Sequence, residues 1–371
     1  MIYLDQAATS FIKPPQVASA VIQAMQECAS LGRSGHQPAM NAAAVAYHAR
    51  MTAAKLFDSE PEQVVFTHNA THGLNVAIRS LVESGDKVVI SGFEHNAVLR
   101  TLYACGAEIL TANGRLFDTE EWIEAFKNLI RPDIKAVICN HVSNVFGNIL
   151  PVEEIASHCR EYGIPFILDA SQSAGVLPIS LKKLHAAFIA APGHKSLYGP
   201  QGTGVLICGK KPKPLLFGGT GSNSIDLNMP DEIPDLAEAG THNIPGIAGL
   251  DQGMQYVLDK GVDALFAHEH GLMLDFVRKI QIPGGIICFS DHGINQTGVV
   301  SCIMPEMDCE YAAYRLSEMG IAVRAGLHCA PLAHQSVGTL NTGTIRFSFS
   351  AFNDLHEIEI AASAVITLCR G

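Results

Sequence analysis

The sequence carries little charge for its length, and this argues against two classes of function. Only 16% of its 371 residues are charged, and the formal net charge is -11 at pH 7. Binding of the nucleic-acid phosphate backbone needs clustered lysine and arginine, and this acidic chain has no such cluster, so no nucleic-acid partner is expected. No apolar run approaches the roughly 18–20 residues that cross a bilayer, so no membrane association is expected either.

Closely spaced cysteine pairs are also missing. The ten cysteines are scattered and include no Cys-x-x-Cys pair, which argues against a disulfide framework and against a metal site. Most of them are expected to be reduced core residues, since free cysteine packs as a small hydrophobe. The first ten residues contain Asp5 and no basic stretch. They therefore do not resemble a secretory signal, and a cytoplasmic protein is expected.

The sequence does have a large apolar fraction, arranged in short segments. Hydrophobic residues make up 48% of the chain, enough for more than one hydrophobic unit. Strand-like and helix-like segments alternate up to about residue 250, which predicts an α/β fold with a mostly parallel sheet covered on both faces. The predicted strands are residues 63–67, 87–91, 107–111, 136–140, 165–169, 187–190 and 204–208, and the predicted helices between them include 73–83, 119–129 and 152–162.

Beyond residue 250 the pattern changes. A helical stretch is followed by more widely separated strands and helices, which indicates a smaller α+β domain. We therefore predict a large domain over residues 15–250 and a small C-terminal domain over residues 251–371, on which residues 1–14 could pack. The elements predicted here are helices 249–260, 309–319 and 355–367 and strands 298–304, 321–324 and 344–350.

Two polar residues follow predicted strands of the large sheet. Asp169 ends one apolar strand, and Lys195 follows a later one among several glycines. Both are expected to face one crevice, because ligands bind at the carboxyl ends of parallel strands. Pyridoxal 5'-phosphate (PLP) needs such a pair, a lysine for its aldehyde and an acid for its ring nitrogen. Taken singly, Asp169 could be a turn residue and Lys195 an exposed loop residue.

Other polar residues lie in similar positions. Ala70 and Thr71 precede a helix whose free amides could bind phosphate, although Thr71 could simply cap it. His95 could stack on a flat ring or be a structural histidine. Asn144 could donate to a ring hydroxyl or occupy a turn. Arg346 lies in an alternating strand and either faces solvent or binds a carboxylate.

Cys329 is the exception among the cysteines. It lies in a loop with glycine and proline, beside His328 and five residues after Arg324. Positive neighbours lower the pKa of a thiol and favour its reactive thiolate form. We therefore predict that Cys329 is reactive, with another buried cysteine as the alternative.

In this order, these segments resemble the class V aminotransferase family, and within it the cysteine desulfurase and selenocysteine lyase group. The resemblance runs from Tyr3 to about Asp354 through the motifs ATHG, EHN, HVSN, LDASQS, GHK, AGTHN, GLHCAP and GTIRFS. It implies the α/β fold of PLP-dependent transferases of fold type I. Pro192 and Leu327 replace a serine and a histidine common in the family, and residues 32–36 match only loosely. These departures concern sulfur relay and substrate preference rather than cofactor use.

The resemblance also implies roles for individual residues. Lys195 would bind the cofactor aldehyde, Asp169 would pair with the ring nitrogen, and His95 would stack on the ring. Thr241 would reach the phosphate of a partner subunit, which implies a homodimer. Arg346 would hold the substrate carboxylate, with Asn144 beside it. The residues assigned to the cofactor are Ala70, Thr71, His95, Asn144, Asp169, Gln172, His194, Lys195 and Thr241.

The activity implied is conversion of L-cysteine to L-alanine, with the sulfur passing to Cys329 as a persulfide and then to an acceptor protein. Lys195, His95 and Cys329 would be the catalytic residues. A selenocysteine lyase is one alternative. A class V aminotransferase is another, and it would need Lys195, Asp169 and Arg346 but not Cys329. The alternative from another class is a catalytically idle PLP-fold protein that serves as a scaffold or sulfur-relay partner.

Overall fold

The computed structural model describes residues 1–31, 34–222, 224–281, 285–291 and 293–370. Residues 32 and 33 of the loosely matching segment 32–36 lie outside the described residues. The helices are α1 (Pro15–Glu27), α2 (Gln37–Phe57), α3 (Ala70–Leu81), α4 (Asn96–Cys105), α5 (Thr119–Leu129), α6 (Val152–Glu161), α7 (Leu181–Leu184), α8 (Ile244–Lys260), α9 (Val262–Ile280), α10 (Cys309–Glu318), α11 (Pro331–Val337) and α12 (Leu355–Arg370). The strands are β1 (Ile2–Tyr3), β2 (Val64–Thr67), β3 (Lys87–Ser91), β4 (Glu108–Ala112), β5 (Ile134–Asn140), β6 (Phe166–Asp169), β7 (Phe188–Pro192), β8 (Gly204–Cys208), β9 (Ile287–Phe289), β10 (Val299–Ile303), β11 (Ile321–Ala322), β12 (Arg324–Gly326) and β13 (Thr344–Ser348).

The large sheet has seven strands in the order β2-β8-β7-β6-β5-β3-β4. The strands from β7 to β4 pair in parallel, whereas β8 runs antiparallel to both β2 and β7. Along β3, Val88 and Ile90 pack into the core on one face and Val89 into the core on the other, as the two-residue period of a strand requires. The predicted α/β fold with a mostly parallel sheet covered on both faces is confirmed.

Helix α5 shows why the local sequence specifies these elements. The Asp118 side chain accepts a hydrogen bond from the amide of Glu121 and so caps the first turn. Trp122 and Phe126, four residues apart on one face, are both buried, as an amphipathic helix requires. The helix ends at Leu129, as predicted.

The second sheet is antiparallel, in the order β12-β13-β10-β9, and shares a core with residues of α9, α10 and α12. Ile2 and Leu4 pack into this core, and β1 pairs in parallel with β11. The predicted boundary at residue 250 falls within α8, which packs on α1 and α2. The division into domains 15–250 and 251–371 stays a prediction. Within the described residues, no helix is both long and apolar enough to cross a membrane.

Candidate active site

The carboxyl ends of β2, β3, β5, β6 and β7 open on one cavity. Parallel strands bring their carboxyl ends to the same edge of a sheet, which is where ligands of α/β proteins bind. Residues far apart in the sequence therefore meet there. The predicted site residues that line this cavity are Ala70, Thr71, His95, Asn144, Asp169, Gln172, His194, Lys195, Cys329 and Arg346.

Asp169 and Lys195 occupy this cavity from neighbouring strands. Asp169, the last residue of β6, is buried, and its Oδ1 accepts a hydrogen bond from the amide of Ser171 at 2.9 Å. Lys195 follows the end of β7, the parallel neighbour of β6. Burial lowers the pKa of Lys195 to about 8, even though the negative Asp169 opposes this change, and the charge of Arg346 contributes to the lowering. A lysine with this pKa is partly neutral near physiological pH and can act as a nucleophile or a base.

The start of α3 provides unpaired amides beside this pair. Asn69 is the N-cap, and its Oδ1 accepts a hydrogen bond from the amide of His72 at 2.9 Å. The alternative that Thr71 caps the helix is therefore wrong. The amides of Ala70 and Thr71 have no hydrogen-bond partner within the described part of the chain. Two free N–H groups at the positive end of a helix dipole can bind a phosphate.

His95 precedes α4 and contributes a neutral ring. Its Nδ1 accepts a hydrogen bond from the amide of Ala97 at 3.0 Å, so the proton of the neutral imidazole lies on Nε2. Burial lowers the pKa of His95, and the negative charge of Asp169 opposes this effect only in part. A neutral ring that lines the cavity can stack on a flat cofactor.

Arg346 is buried, which excludes the alternative that it faces solvent. Its Nη2 contacts Asp5 Oδ1 at 2.6 Å, and its Nη1 donates to the carbonyl of Asn144 at 2.9 Å. Its Nε has no hydrogen-bond partner in the part of the chain that the structure describes. The Arg346 side chain lines the cavity that Asn144 also lines.

Cys329 lies in a loop that is held on both sides. The Cys329 carbonyl accepts a hydrogen bond from the amide of Asn96 at 2.8 Å, and the His328 carbonyl accepts one from Asn144 Nδ2 at 2.8 Å. Both His328 and Cys329 have left-handed backbone, with φ of 50° and 57°. Two consecutive non-glycine residues in this region are uncommon and need support from their surroundings. Of the ten cysteines, all at described positions, only Cys329 is exposed.

One part of the prediction for Cys329 is wrong. His328 was expected to be a positive neighbour of the thiol, but it is buried, and its Nε2 lies 3.2 Å from the carbonyl of Thr344. Burial first, and then the charge of Arg346, lower the pKa of His328 to about 2. His328 is therefore neutral at physiological pH. Arg324, the other positive residue considered in the sequence, lines the same cavity as Cys329.

Gln172 and His194 connect the cavity to the N-terminal segment. Gln172 Nε2 donates to the carbonyl of Ala7 at 3.0 Å, and His194 Nδ1 lies 3.1 Å from Thr9 Oγ1. Burial, with Lys195 nearby, lowers the pKa of His194 to about 4. A neutral ring can still give or accept one hydrogen bond with a phosphate.

Thr241 lies apart from the other predicted residues. It is exposed and lines a separate, smaller pocket together with His68, His72 and His242. Its own chain therefore does not bring Thr241 into the cavity. Its predicted role across a subunit interface stays a prediction.

Two functional features escaped the sequence predictions. Asp5 pairs with Arg346 although 341 positions separate them, and the only signal in the sequence was its place near Tyr3, where the family resemblance begins. Glu94 is completely buried beside His95. Its signal was a carboxylate between an apolar strand and a helix, which a chain buries only with partners.

These residues fit PLP. The cavity offers a lysine of lowered pKa, a buried carboxylate, free helix amides and a guanidinium. Lys195 would hold the aldehyde, Asp169 the ring nitrogen, and the start of α3 the phosphate. The aldehyde of the cofactor would thus meet an amine, its ring nitrogen a carboxylate, and its phosphate two N–H donors.

Known proteins resemble this chain in sequence and fold. A Pyrococcus abyssi protein described as a probable cysteine desulfurase is 32% identical over 97% of this chain and 92% of its own length. A Haloferax volcanii cysteine desulfurase is 30% identical over 98% of this chain and 88% of its own. The apo structure of a cysteine desulfurase from Thermococcus onnurineus NA1 superposes with a TM-score of 0.89 at 30% identity, covering 100% of this chain and 95% of that chain.

Fold and site together define a PLP-dependent transferase of fold type I, as predicted. The family model described as Aminotransferase class-V matches residues 2–360. The chain belongs to the class V aminotransferase family.

Proposed function

We propose that this protein is a PLP-dependent cysteine desulfurase that converts L-cysteine to L-alanine and collects the sulfur on Cys329. The observation that carries the proposal is that the one exposed cysteine lines the same cavity as Lys195, Asp169 and Arg346. An aminotransferase needs the last three residues but has no use for a thiol there. The named relatives, which include cysteine desulfurases, support the same choice.

The residues of the chain would bind and orient the amino acid first. The Arg346 guanidinium would bind the substrate carboxylate, since its side chain lines the cavity that holds Lys195 and Cys329. Asn144 would hold Arg346 from the other side through its carbonyl. This fixes the carboxylate end of cysteine in the cavity and leaves its side chain free to reach Cys329.

Lys195 and Asp169 would then handle the protons. A pKa of about 8 gives Lys195 enough neutral amine to accept the Cα proton of the substrate. Asp169 would keep a proton on the cofactor's ring nitrogen. When bound, the cofactor supplies the electron sink that makes this proton acidic.

The sulfur step would take place at Cys329. Its thiolate would attack the sulfur of the substrate, so that a new S–S bond forms while the Cβ–S bond breaks. The electron pair of the broken bond stays with the carbon fragment, which takes up protons and leaves as alanine. The sulfur remains on Cys329 as a persulfide, and no external oxidant is needed. The left-handed backbone of His328 and Cys329 would present the thiol without a long mobile loop.

We further propose a cytoplasmic homodimer that passes the persulfide sulfur to an acceptor protein. The dimer is supported by Thr241, which is exposed and belongs to the motif that reaches a partner's phosphate in the resemblance. Analytical ultracentrifugation at micromolar concentration checks this, since a fully active monomer would contradict it.

The experiment that tests the proposed function is an assay of alanine and sulfide formed from cysteine. Wild-type protein and Cys28→Ser, in which a half-buried cysteine outside the cavity is changed, should both be active. Cys329→Ser should bind PLP normally but release no alanine. Unchanged desulfurase activity in Cys329→Ser would overturn the proposal. If transamination is the only activity and its rate is unchanged in Cys329→Ser, the protein would be an aminotransferase. If Cys329→Ser also fails to release selenide from selenocysteine, then selenide release needs the thiol. That result would argue against a lyase that works without the thiol.

A further inference from the structure

Glu94 lies behind the cavity, between β3 and α4, and none of its surface is exposed. Its Oε1 accepts a hydrogen bond from the amide of Asn140 at 2.7 Å and lies 2.7 Å from Ser91 Oγ. Its Oε2 has no partner within the described residues. An ionised carboxylate in this position would leave a charged oxygen buried without any donor, which is strongly unfavourable.

The hydrogen bonds around Ser91 require one more proton than its hydroxyl can supply. Ser91 Oγ lies 2.6 Å from Asn140 Oδ1 and 2.7 Å from Glu94 Oε1. The Asn140 side chain cannot be reversed, because its Nδ2 donates to the carbonyl of Phe93 at 3.1 Å. Ser91 therefore faces two oxygens, and its single hydroxyl proton can be donated to only one of them.

We infer that Glu94 supplies the second proton, as a neutral carboxylic acid that donates to Ser91, which in turn donates to Asn140. In this arrangement every short O···O contact contains one proton. Glu94 Oε1 is then the hydroxyl oxygen and also accepts from the Asn140 amide, which a carboxylic acid allows. Oε2 becomes an uncharged carbonyl oxygen, whose lack of a partner costs much less than that of a charged one.

The electrostatic surroundings favour the same state. Asp169 on β6 and Cys139 on β5 face Glu94 from neighbouring strands, and His95 follows it in the sequence. None of them offers a positive charge at neutral pH, because burial lowers the pKa of His95 and because a thiol or a carboxyl group cannot be cationic. Burial first, and then repulsion by Asp169, raise the pKa of Glu94 to about 8.

The consequence for the active site rests on the proposed function. A neutral Glu94 leaves Asp169 as the negative charge available to the cofactor's ring nitrogen. Glu94 is thus a positioning residue, which acts through Asp169 and through the β3–α4 connection that carries His95. Above its pKa, Glu94 would place a second negative charge behind the cofactor ring. It would also lose the proton that it donates to Ser91, which in turn donates to Asn140.

Infrared spectroscopy tests the inference directly. At pH 7 exposed carboxylates are ionised, so a carbonyl band of protonated carboxylic acid can come only from buried groups. Glu269 is the matched control, because it is also buried and its pKa is also raised to about 8. We expect the wild-type band to lose one component in Glu94→Gln and a different one in Glu269→Gln. An identical band in the wild type and Glu94→Gln would overturn the inference.

A second readout uses the pH dependence of unfolding. An acid whose folded pKa is raised holds a proton that the unfolded chain releases, so stability falls as pH rises between the two values. Between the unfolded pKa of about 4.3 and the folded value of about 8, the ratio of the unfolding constants of wild type and Glu94→Gln should rise roughly tenfold per pH unit. A ratio that does not change with pH would contradict the inference.

Two further points keep the tests decisive. If Glu94→Gln does not fold, Ser91→Ala removes the acceptor of the Glu94 proton, and the acid band should then shift to higher frequency. No shift in that variant would also count against the inference. The infrared band does not depend on the cofactor. A protein that binds no PLP would therefore refute the proposed function without affecting the inference about Glu94. A missing infrared band would refute the inference about Glu94 without affecting the proposed function.

Discussion

In the part of the chain that the structure describes, two arginine–carboxylate pairs are buried, and they differ in how many of their polar atoms bind other groups of the chain. In the first pair, Arg50 Nη1 and Nη2 bind the two oxygens of Glu238 at 2.9 and 2.6 Å. Arg50 also donates to the carbonyl of Val64, and Glu238 accepts from the amide of Phe66 and contacts His242 Nε2 at 2.7 Å. Both side chains are at most 9% exposed. Both oxygens of Glu238 and both terminal nitrogens of Arg50 are therefore engaged by other groups of the chain.

The second pair is open. Arg346 contacts Asp5 through Nη2 alone, its Nε is unpartnered within the described chain, and the Asp5 side chain is 19% exposed. The cavity that Arg346 lines also contains Lys195 and Cys329. The difference shows how the same two residue types can serve opposite purposes. A pair joined through both terminal nitrogens of the arginine holds the fold together, whereas a pair joined through one of them beside the active-site cavity can also bind an anion.

The largest effect should come from breaking the closed pair. Arg50→Ala leaves Glu238 buried without its cation, and removing one partner of a buried pair typically costs about 3–5 kcal/mol of unfolding free energy. Urea unfolding measures this. Arg278→Ala, which removes an exposed arginine from a surface pair, is the control and should cost less than about 1 kcal/mol. A similar loss in both variants would show that the closed pair has no special structural role.

Breaking the open pair should affect binding more than stability. Arg346→Ala removes the donor proposed for the substrate carboxylate, and a hydrogen bond to a charged group contributes about 1.5–3 kcal/mol. The KM for cysteine should therefore rise roughly tenfold or more, while the protein keeps PLP. Steady-state kinetics and the visible absorbance of the cofactor check both parts. An unchanged KM would remove Arg346 from the substrate site.

A smaller effect on KM is expected when the open pair loses only its negative charge. Asp5→Asn keeps the size of the side chain but removes the negative charge that now competes for Arg346. The guanidinium would then attract the substrate carboxylate more strongly, and the KM for cysteine should fall severalfold. Glu238→Gln is the matched change in the closed pair and should leave KM unchanged in the folded fraction. A raised KM in Asp5→Asn would mean that Asp5 orients Arg346 rather than competing for it.

The sequence predicted the strands and their ends well, because apolar segments with β-branched residues have a clear local signal. Helix α2 was missed for the opposite reason. Its buried face is made largely of alanines, such as Ala42, Ala46, Ala49 and Ala53, which give a weak hydrophobic period. The site residues that follow strands were identified because each position is local.

Interactions between distant residues could not be predicted in this way. No local signal links Asp5 to Arg346, and nothing in the neighbourhood of Cys329 indicates that His328 is buried and neutral. The pKa of His328 depends on how tightly the loop folds against Thr344, which is a property of the packed structure. The charge state of Glu94 likewise emerges only from atoms of β3 and β5 brought together.

The most direct test of the proposed function is mass spectrometry of the protein after addition of cysteine. Peptide mapping without reductant locates any extra sulfur among the ten cysteines. We expect a persulfide on Cys329 alone, formed together with alanine, and none in Lys195→Ala, which lacks the amine proposed to hold the cofactor. Alanine formation with no sulfur on Cys329, or with the sulfur on another cysteine, would contradict the proposed function.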